Sequence, residues 1–145
     1  MHELVRAAVS GALATAAMSS VMALGEWAGL MSEQPPKHIV RAAMPGAKHR
    51  PKRGEGALGT LAHFGFGIGC GTLLHVLARG RHVRQPVAVG YALSIWIASY
   101  EGWVPRMGVL PPISRDQPGR PIVMAAAHAI YGITLAYALN RLRRR

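Results

Sequence analysis

Four long stretches of this sequence contain no formally charged residue, and they restrict the folds that the chain can adopt. They cover residues 7–25, 57–78, 85–100 and 121–140, and they are 19, 22, 16 and 20 residues long. A bilayer core of about 30 Å is crossed by about 20 mainly apolar helical residues, whereas buried helices of soluble domains are usually shorter and keep a polar face. The pattern therefore predicts an all-α, polytopic membrane protein built as a four-transmembrane-helix bundle.

The charged residues and prolines around these stretches set the expected boundaries of the helices. We predict one transmembrane domain over residues 1–145, in which Glu101 and Pro105 shorten the third span. The four predicted spans cover residues of about 4–30, 56–78, 86–104 and 121–140.

A short amphipathic helix is predicted at about residues 35–44, in the first long loop. Its first two residues are prolines, which suit the first turn of a helix. Ile39, Val40, Ala43 and Met44 share one helical face. We expect this helix to lie at the membrane interface.

The basic residues indicate a lipid partner and an orientation. The chain carries 17 Lys and Arg against 6 Asp and Glu, a net charge of +11, although 50% of its residues are hydrophobic. These charges are scattered over both predicted membrane faces, so we expect no nucleic-acid partner. They are densest in the two tails and the loop at 79–84, which favours an orientation with both termini in the cytoplasm.

The second uncharged stretch is unusually rich in glycine. Each interior Gly costs a helix in water about 1 kcal/mol relative to Ala, but in lipid the backbone must bond within its own helix. Gly65 with Gly69 and Gly67 with Gly71 form two overlapping GxxxG pairs, a pattern that lets helices approach closely. We predict that they pack helices, and that the chain self-associates or binds another membrane protein.

Two sequence features recur in the two halves of the chain. Trp27 and Trp103 are each followed, after seven residues, by a Pro-Pro pair. His63 and His128 each begin a motif with an aromatic residue and a glycine at the fourth and fifth positions. These features predict two parallel helical-hairpin repeats, although chance similarity between membrane hairpins would also explain them.

Four ionisable residues are predicted to approach the membrane face that carries the long loops. Glu26 and Glu101 lie near the ends of the first and third spans, and His63 and His128 lie about two turns into the second and fourth. Ionisable residues inside membranes are functional candidates by default. The cluster could titrate or pass protons, hold a divalent metal ion or a haem, or only form hydrogen bonds between helices.

Several short motifs together resemble the YagU-like family of small bacterial inner-membrane proteins. They are QPPKHIVRAAMPG, the glycine-rich helix opened by His63, PRMGVLPP, and AHAIYG running into NRLRRR. The resemblance implies a helical inner-membrane protein of undefined activity and supplies no catalytic residues. This chain has shorter terminal tails, and it has Glu101 where the resemblance leads us to expect a histidine.

Three function hypotheses follow. The first is a non-enzymatic envelope protein, such as a small channel, a transporter-like protein or a stress-response component, whose Glu/His cluster senses or passes protons. The second is a structural or accessory membrane subunit, and neither of these two needs a cofactor. The third is a metal- or haem-binding membrane protein. No Ser/His/Asp spacing or paired-carboxylate motif suggests an enzyme.

Overall fold

Six α-helices, one π-helix and one short 3-10 helix make up the described part of the chain, residues 2–47 and 50–143 of the computed structural model. Helix accounts for 77% of the structure, and the described residues form no strand, which confirms the all-α prediction. In chain order the elements are α1 (His2–Trp27), α2 (Pro35–Ala43), α3 (Glu55–Leu77), α4 (Gln85–Ile97), the π-helix (Ala98–Trp103), α5 (Val104–Arg106), the 3-10 helix (Ile113–Arg115) and α6 (Gly119–Arg143).

Three of these helices, α1, α3 and α6, are long and apolar enough to cross a membrane. Among the described residues these are the three candidate spans, as expected for a membrane protein. The third predicted span is not one regular α-helix. Its first part, α4, has 13 residues and continues without a break into the π-helix and α5. Pro105 has no N–H to donate to the carbonyl of Glu101, which gives a physical reason for the wider π turn at this point.

The long helices run antiparallel to their neighbours in sequence, so the molecule has two distinct ends. The short-loop end holds the start of α1, the loop at 79–84 and the end of α6. There Glu3 lies 3.5 Å from His75, and the Asn140 side chain bonds the backbone of Val83. The long-loop end holds α2 and the loops that follow α1 and precede α6.

Small residues fill the centre of the helix assembly, and large apolar residues cover its outside. Ala7, Ala14, Ala88, Ala92, Ala127 and Ala136 are all fully buried. In contrast, Leu24, Leu61, Leu77 and Ile122 are between 63% and 69% exposed. Helices in lipid associate through small residues because the lipid solvates large apolar side chains, so this distribution fits a membrane environment.

Glycines bring the helices closest together towards the short-loop end. A Cβ atom on Gly71 would lie 2.8 Å from the Cα atom of Gly11, and one on Gly132 would lie 2.7 Å from the carbonyl oxygen of Ala88. A Cβ on Gly67 would collide with the Thr15 side chain. The backbones of α1, α3, α4 and α6 therefore touch where only glycine fits.

The other GxxxG pair lies on a different face of α3. Around Gly65 and Gly69, no atom of another element lies within 4 Å of the place where a Cβ would be. Both residues are exposed. Their packing role stays a prediction, and it would need a contact outside this chain.

Candidate functional site

A cavity of about 250 Å³ lies in the long-loop half of the helix assembly. Its walls come from α1, α3, α4, the π-helix and α6, and Pro35, Pro36, Ile39 and Val40 of α2 also line it. Thus α2, which the sequence predicted as an interfacial helix, covers one side of this cavity. A side chain on Gly59 of α3 would press against the backbone of Lys37, so α2 is closely packed on α3.

His63 and His128 both line this cavity, from α3 and α6. The Nε2 atom of His63 is buried and has no hydrogen-bond partner within the described residues. The Nδ1 atom of His128 lies 2.7 Å from the carbonyl oxygen of Met124. Because a carbonyl only accepts hydrogen bonds, this contact assigns the proton to Nδ1 and leaves Nε2 of the neutral ring as an acceptor.

Trp96 supplies a third polar atom in the same cavity. Its indole ring lies 6.4 Å from the His128 ring, centroid to centroid. Its Nε1 atom, which can only donate, is buried without a partner in the described part of the chain. Trp96 was not among the predicted site residues, although its place within the uncharged stretch 85–100 separates it from Trp27 and Trp103 at the span ends.

Most other polar groups near the cavity are already satisfied. The hydroxyl groups of Tyr131 and Thr15 donate to the carbonyl oxygens of Gly67 and Gly11, at 2.6 and 2.7 Å. The rest of the lining is mainly apolar. The arrangement therefore combines apolar walls with two buried ring nitrogens, His63 Nε2 and Trp96 Nε1, that have no partner among the described residues, and with His128, whose Nε2 atom can accept a hydrogen bond.

The two glutamates of the predicted cluster do not line the cavity. Glu26 is exposed and accepts a hydrogen bond from Gln34 Nε2 at 3.0 Å. Glu101 is also exposed and accepts one from the backbone N–H of Ile113 at 2.7 Å. The expectation of one four-residue cluster is thus corrected, since both carboxylates lie at helix ends and bind the loops that follow.

The side chains that commonly bind metal ions are dispersed in the described part of the chain. Within residues 2–47 and 50–143, no group of three or more His, Cys, Asp or Glu side chains is placed to hold a metal ion. The two cavity histidines, without the glutamates, would supply only two such ligands.

A buried ion-pair network, the α2 clasp, fixes α2 over the cavity. We define it as Glu33, Arg41, Lys52 and Glu55. Arg41 donates two hydrogen bonds to Glu55, at 2.6 and 2.8 Å, and contacts Glu33 at 3.1 Å. Lys52 Nζ donates to the carbonyl oxygens of Arg41 and Met44, at 2.6 and 2.7 Å. The hydrogen bonds with Glu55 hold the pKa of Arg41 above its ordinary value, so this cation stays charged.

Glu33, a member of the α2 clasp, and His38 beside it have shifted pKa values. Burial opposes ionisation of Glu33, but the hydrogen bond from Lys37 and the charge of Arg41 outweigh it and lower the Glu33 pKa. His38 Nε2 lies 3.3 Å from Glu33 Oε2. Burial, together with the charges of Arg41 and Arg120, outweighs this attraction and lowers the His38 pKa.

A second polar network, the α6 clasp, consists of Ser32, Tyr100, Asp116 and Arg120, of which the Asp116 and Arg120 side chains are buried and Ser32 is exposed. Arg120 contacts Asp116 at 2.5 Å and donates to Ser32 at 3.1 Å, and the Tyr100 hydroxyl donates to Asp116. These bonds join the π-helix to the start of α6 and to the loop after α1. The i, i+4 spacing of Asp116 and Arg120 is the only sequence signal for this network.

The comparisons with known proteins add a family but no activity. No curated protein and no solved structure matches the chain. The family model that matches is described as a family of unknown function, DUF6789, and it covers residues 1–145. It does not bear on the YagU-like resemblance, which stays a hypothesis. Because the match extends over the whole length, the chain belongs to the DUF6789 family.

Proposed function

We propose that this chain is a four-span membrane protein whose cavity binds a small, neutral, mainly apolar molecule with a hydrogen-bonding group. The observation that carries the proposal is the pair of buried ring nitrogens, His63 Nε2 and Trp96 Nε1, that have no partner among the described residues and lie beside His128 in an otherwise apolar cavity. Leaving a buried polar atom without a partner costs about 1–3 kcal/mol. A ligand that supplies one acceptor and one donor would recover part of that cost.

The proposed fourth span is the continuous helical segment 85–106. At 1.5 Å per residue it is about 33 Å long, enough for a hydrocarbon core of about 30 Å. Its packing against α6 supports the proposal. We further propose a bacterial inner membrane with the short-loop end in the cytoplasm, because the arginines there are dense. The two hairpin repeats remain a prediction.

The size of the cavity suggests the size of the ligand. Pockets for drug-sized molecules usually enclose about 300–1,000 Å³, and this cavity, at about 250 Å³, lies just below that range. It suits one or two fused rings, or a short chain. The polar atoms suggest a hydroxyl or carbonyl oxygen that accepts from Trp96, or a hydroxyl group that donates to His128.

The close helix packing beyond the cavity favours binding over conduction. Towards the short-loop end, Gly11 meets Gly71, and Gly132 meets the backbone of α4. Neither contact leaves space for a side chain. We therefore prefer a binding or carrier role to an open channel, and the separation of Glu26 and Glu101 from the cavity weakens the hypothesis of a four-residue proton path.

A matched pair of probes tests the proposal. We expect detergent-purified protein to bind 1-naphthol about tenfold more tightly than naphthalene, because one hydrogen bond of about 1.4 kcal/mol separates the two probes. Isothermal titration calorimetry measures both affinities. Trp96→Phe and His128→Ala should each reduce the preference, whereas Trp27→Phe, at a residue that is 87% exposed, should not. Equal affinities for the two probes would contradict the proposal, and no binding of either would favour the structural or accessory role.

A haem held between the two histidines is the second candidate, and it would require the helices to separate beyond the present cavity of about 250 Å³. Histidines that bind metals usually donate their other ring N–H to a carbonyl or carboxylate, and the contact of His128 with Met124 has that form. The Nε2 atom of His63 also has no partner in the described residues. The visible spectrum of the purified protein tests this candidate. A Soret band that His63→Ala and His128→Ala both abolish would replace the first proposal.

A further inference from the structure

The short-loop end of the molecule carries a strong excess of positive charge. Among the described residues it holds six arginines and one acidic residue, Glu3. None of these six arginines forms an ion pair with another described residue. The arginines are Arg6, Arg79, Arg81, Arg84, Arg141 and Arg143.

A recess of about 380 Å³ lies within this basic region, between the start of α4 and the end of α6. Arg141 gives it a cation, and its other polar groups can donate hydrogen bonds. Its lining residues are His82, Val83, Gln85, Tyr137, Asn140 and Arg141. The recess is distinct from the cavity in the long-loop half and shares no residue with it.

The walls of the recess are held together by a specific contact. The side chain of Asn140 donates to the carbonyl oxygen of Val83 at 2.8 Å and accepts from its N–H at 2.9 Å. The oxygen and the nitrogen of the Asn140 side-chain amide therefore bind the N–H and the carbonyl group of the same residue, Val83. This two-point contact fixes the loop at 79–84 against α6, so the recess is part of the folded structure.

The loop at 79–84 also contains an unusual backbone conformation outside the recess. Arg79 has φ of +52°, and it is the one non-glycine residue with a positive φ among the described residues. The left-handed conformation disfavours residues with a side chain, so helices usually end on glycine at such positions. An arginine here keeps a cation at this end at a cost in stability.

We propose that this recess binds the phosphate headgroup of an anionic phospholipid. Arg141 would contact the phosphate, and His82 and Gln85 could donate to its oxygens. Tyr137 is 65% exposed, as expected for an aromatic ring at the membrane interface. Val87 and Ile133, 55% and 41% exposed, lie deeper along α4 and α6 and offer a surface to the acyl chains. Basic pockets between helices are a known way to bind such headgroups.

Native mass spectrometry of the full-length, detergent-purified protein tests this proposal. We expect the protein to retain one dioleoylphosphatidylglycerol at concentrations where it retains no dioleoylphosphatidylcholine. Arg141→Gln should weaken phosphatidylglycerol binding about fivefold, the effect of one arginine near a membrane surface. Arg115→Gln is the matched control, because Arg115 is also exposed but lies at the long-loop end. Circular dichroism checks that both variants keep their helix content.

Three results would overturn the proposal. The first is equal retention of the two lipids by the wild-type protein. The second is an equal loss of phosphatidylglycerol binding in Arg141→Gln and Arg115→Gln. The third comes from a competition experiment in which inorganic phosphate is added at the same concentration as the lipid. If free phosphate displaced phosphatidylglycerol, the recess would be a site for free phosphate rather than for lipid. None of these measurements depends on the ligand of the cavity.

Discussion

The two ends of the molecule use charge in opposite ways. Among the described residues, the long-loop end holds eight Lys and Arg with five of the six acidic residues, whereas the short-loop end holds six Arg and one Glu. At the long-loop end the charges join loops to helices, as Arg41 does with Glu55 and Arg120 does with Asp116. At the short-loop end the described arginines form no ion pairs with other described residues, so their charge is available to groups outside the chain. Four of the eight cations at the long-loop end, Lys37, Arg41, Lys52 and Arg120, thus serve internal structure, whereas none of the six arginines at the short-loop end is paired with another described residue.

The helix packing differs between the two halves in a corresponding way. Near the short-loop end the helix backbones contact each other directly at Gly11, Gly71 and Gly132. Near the long-loop end, larger side chains and the π-helix hold the helices apart around the cavity. At the long-loop end α1 and α6 still meet at Gly25 and Val123, and the clasps add the contacts that join α2 and the loops to the helices.

The largest effect is expected from breaking the α6 clasp. Arg120→Met leaves Asp116 buried without its cation, and removing one partner of a buried ion pair costs about 3 kcal/mol. The free energy of unfolding, from titration of mixed micelles with sodium dodecyl sulfate, measures the change. Arg115→Met, at an exposed position, should change it by less than about 1 kcal/mol. Equal losses in the two variants would remove the distinction between paired and unpaired cations.

Replacing a glycine with a larger residue tests the helix packing in the short-loop half. In Gly132→Val the new side chain would meet the backbone of α4 at Ala88 and Val89, and we expect a loss of about 2 kcal/mol. The same unfolding titration measures it. Gly69→Val is the matched control, since nothing lies within 4 Å of its Cβ position. A control as unstable as Gly132→Val would show that helix propensity, rather than packing, determines the loss.

Relief of the left-handed backbone at Arg79 is a smaller effect of opposite sign. Arg79→Gly should stabilise the protein by about 1 kcal/mol relative to Arg81→Gly, because only Arg79 has a positive φ. Both variants remove one charge from the same loop. Thermal unfolding in neutral detergent compares them. If Arg81→Gly were equally stable, loss of charge repulsion would explain the gain and backbone strain would not.

The smallest effect concerns pH at the long-loop end. Folding lowers the His38 pKa below 6.5, so its contribution to stability is present above pH 6.5 and is lost as the pH falls through the folded value. The pKa of Glu33 is lowered below 4.5, so its contribution disappears at still lower pH. Unfolding titrations between pH 7 and pH 4 should show a shallower decline in His38→Gln. An unchanged pH dependence in that variant would show that other groups control it.

Part of the candidate site could be predicted from the sequence. The helical pattern places His63 and His128 at similar depths in two spans, and both line the cavity. The same pattern could not separate them from Glu26 and Glu101, because side-chain direction depends on how each helix is rotated about its axis. Trp96 was missed for the same reason, and the α2 clasp was missed because Arg41 and Glu55 are 14 residues apart.

The glycine-rich helix α3 separates what the sequence determines from what the tertiary structure decides. The uncharged stretches by themselves determined that the chain is helical and that its long helices are apolar enough for a membrane, since both properties depend on composition and length. The sequence offers two GxxxG pairs that are offset by two residues, or about 200° around the helix. Only the packed structure decided that Gly67 and Gly71 face α1 while Gly65 and Gly69 face outwards, because Gly11 and Thr15 supply the matching surface.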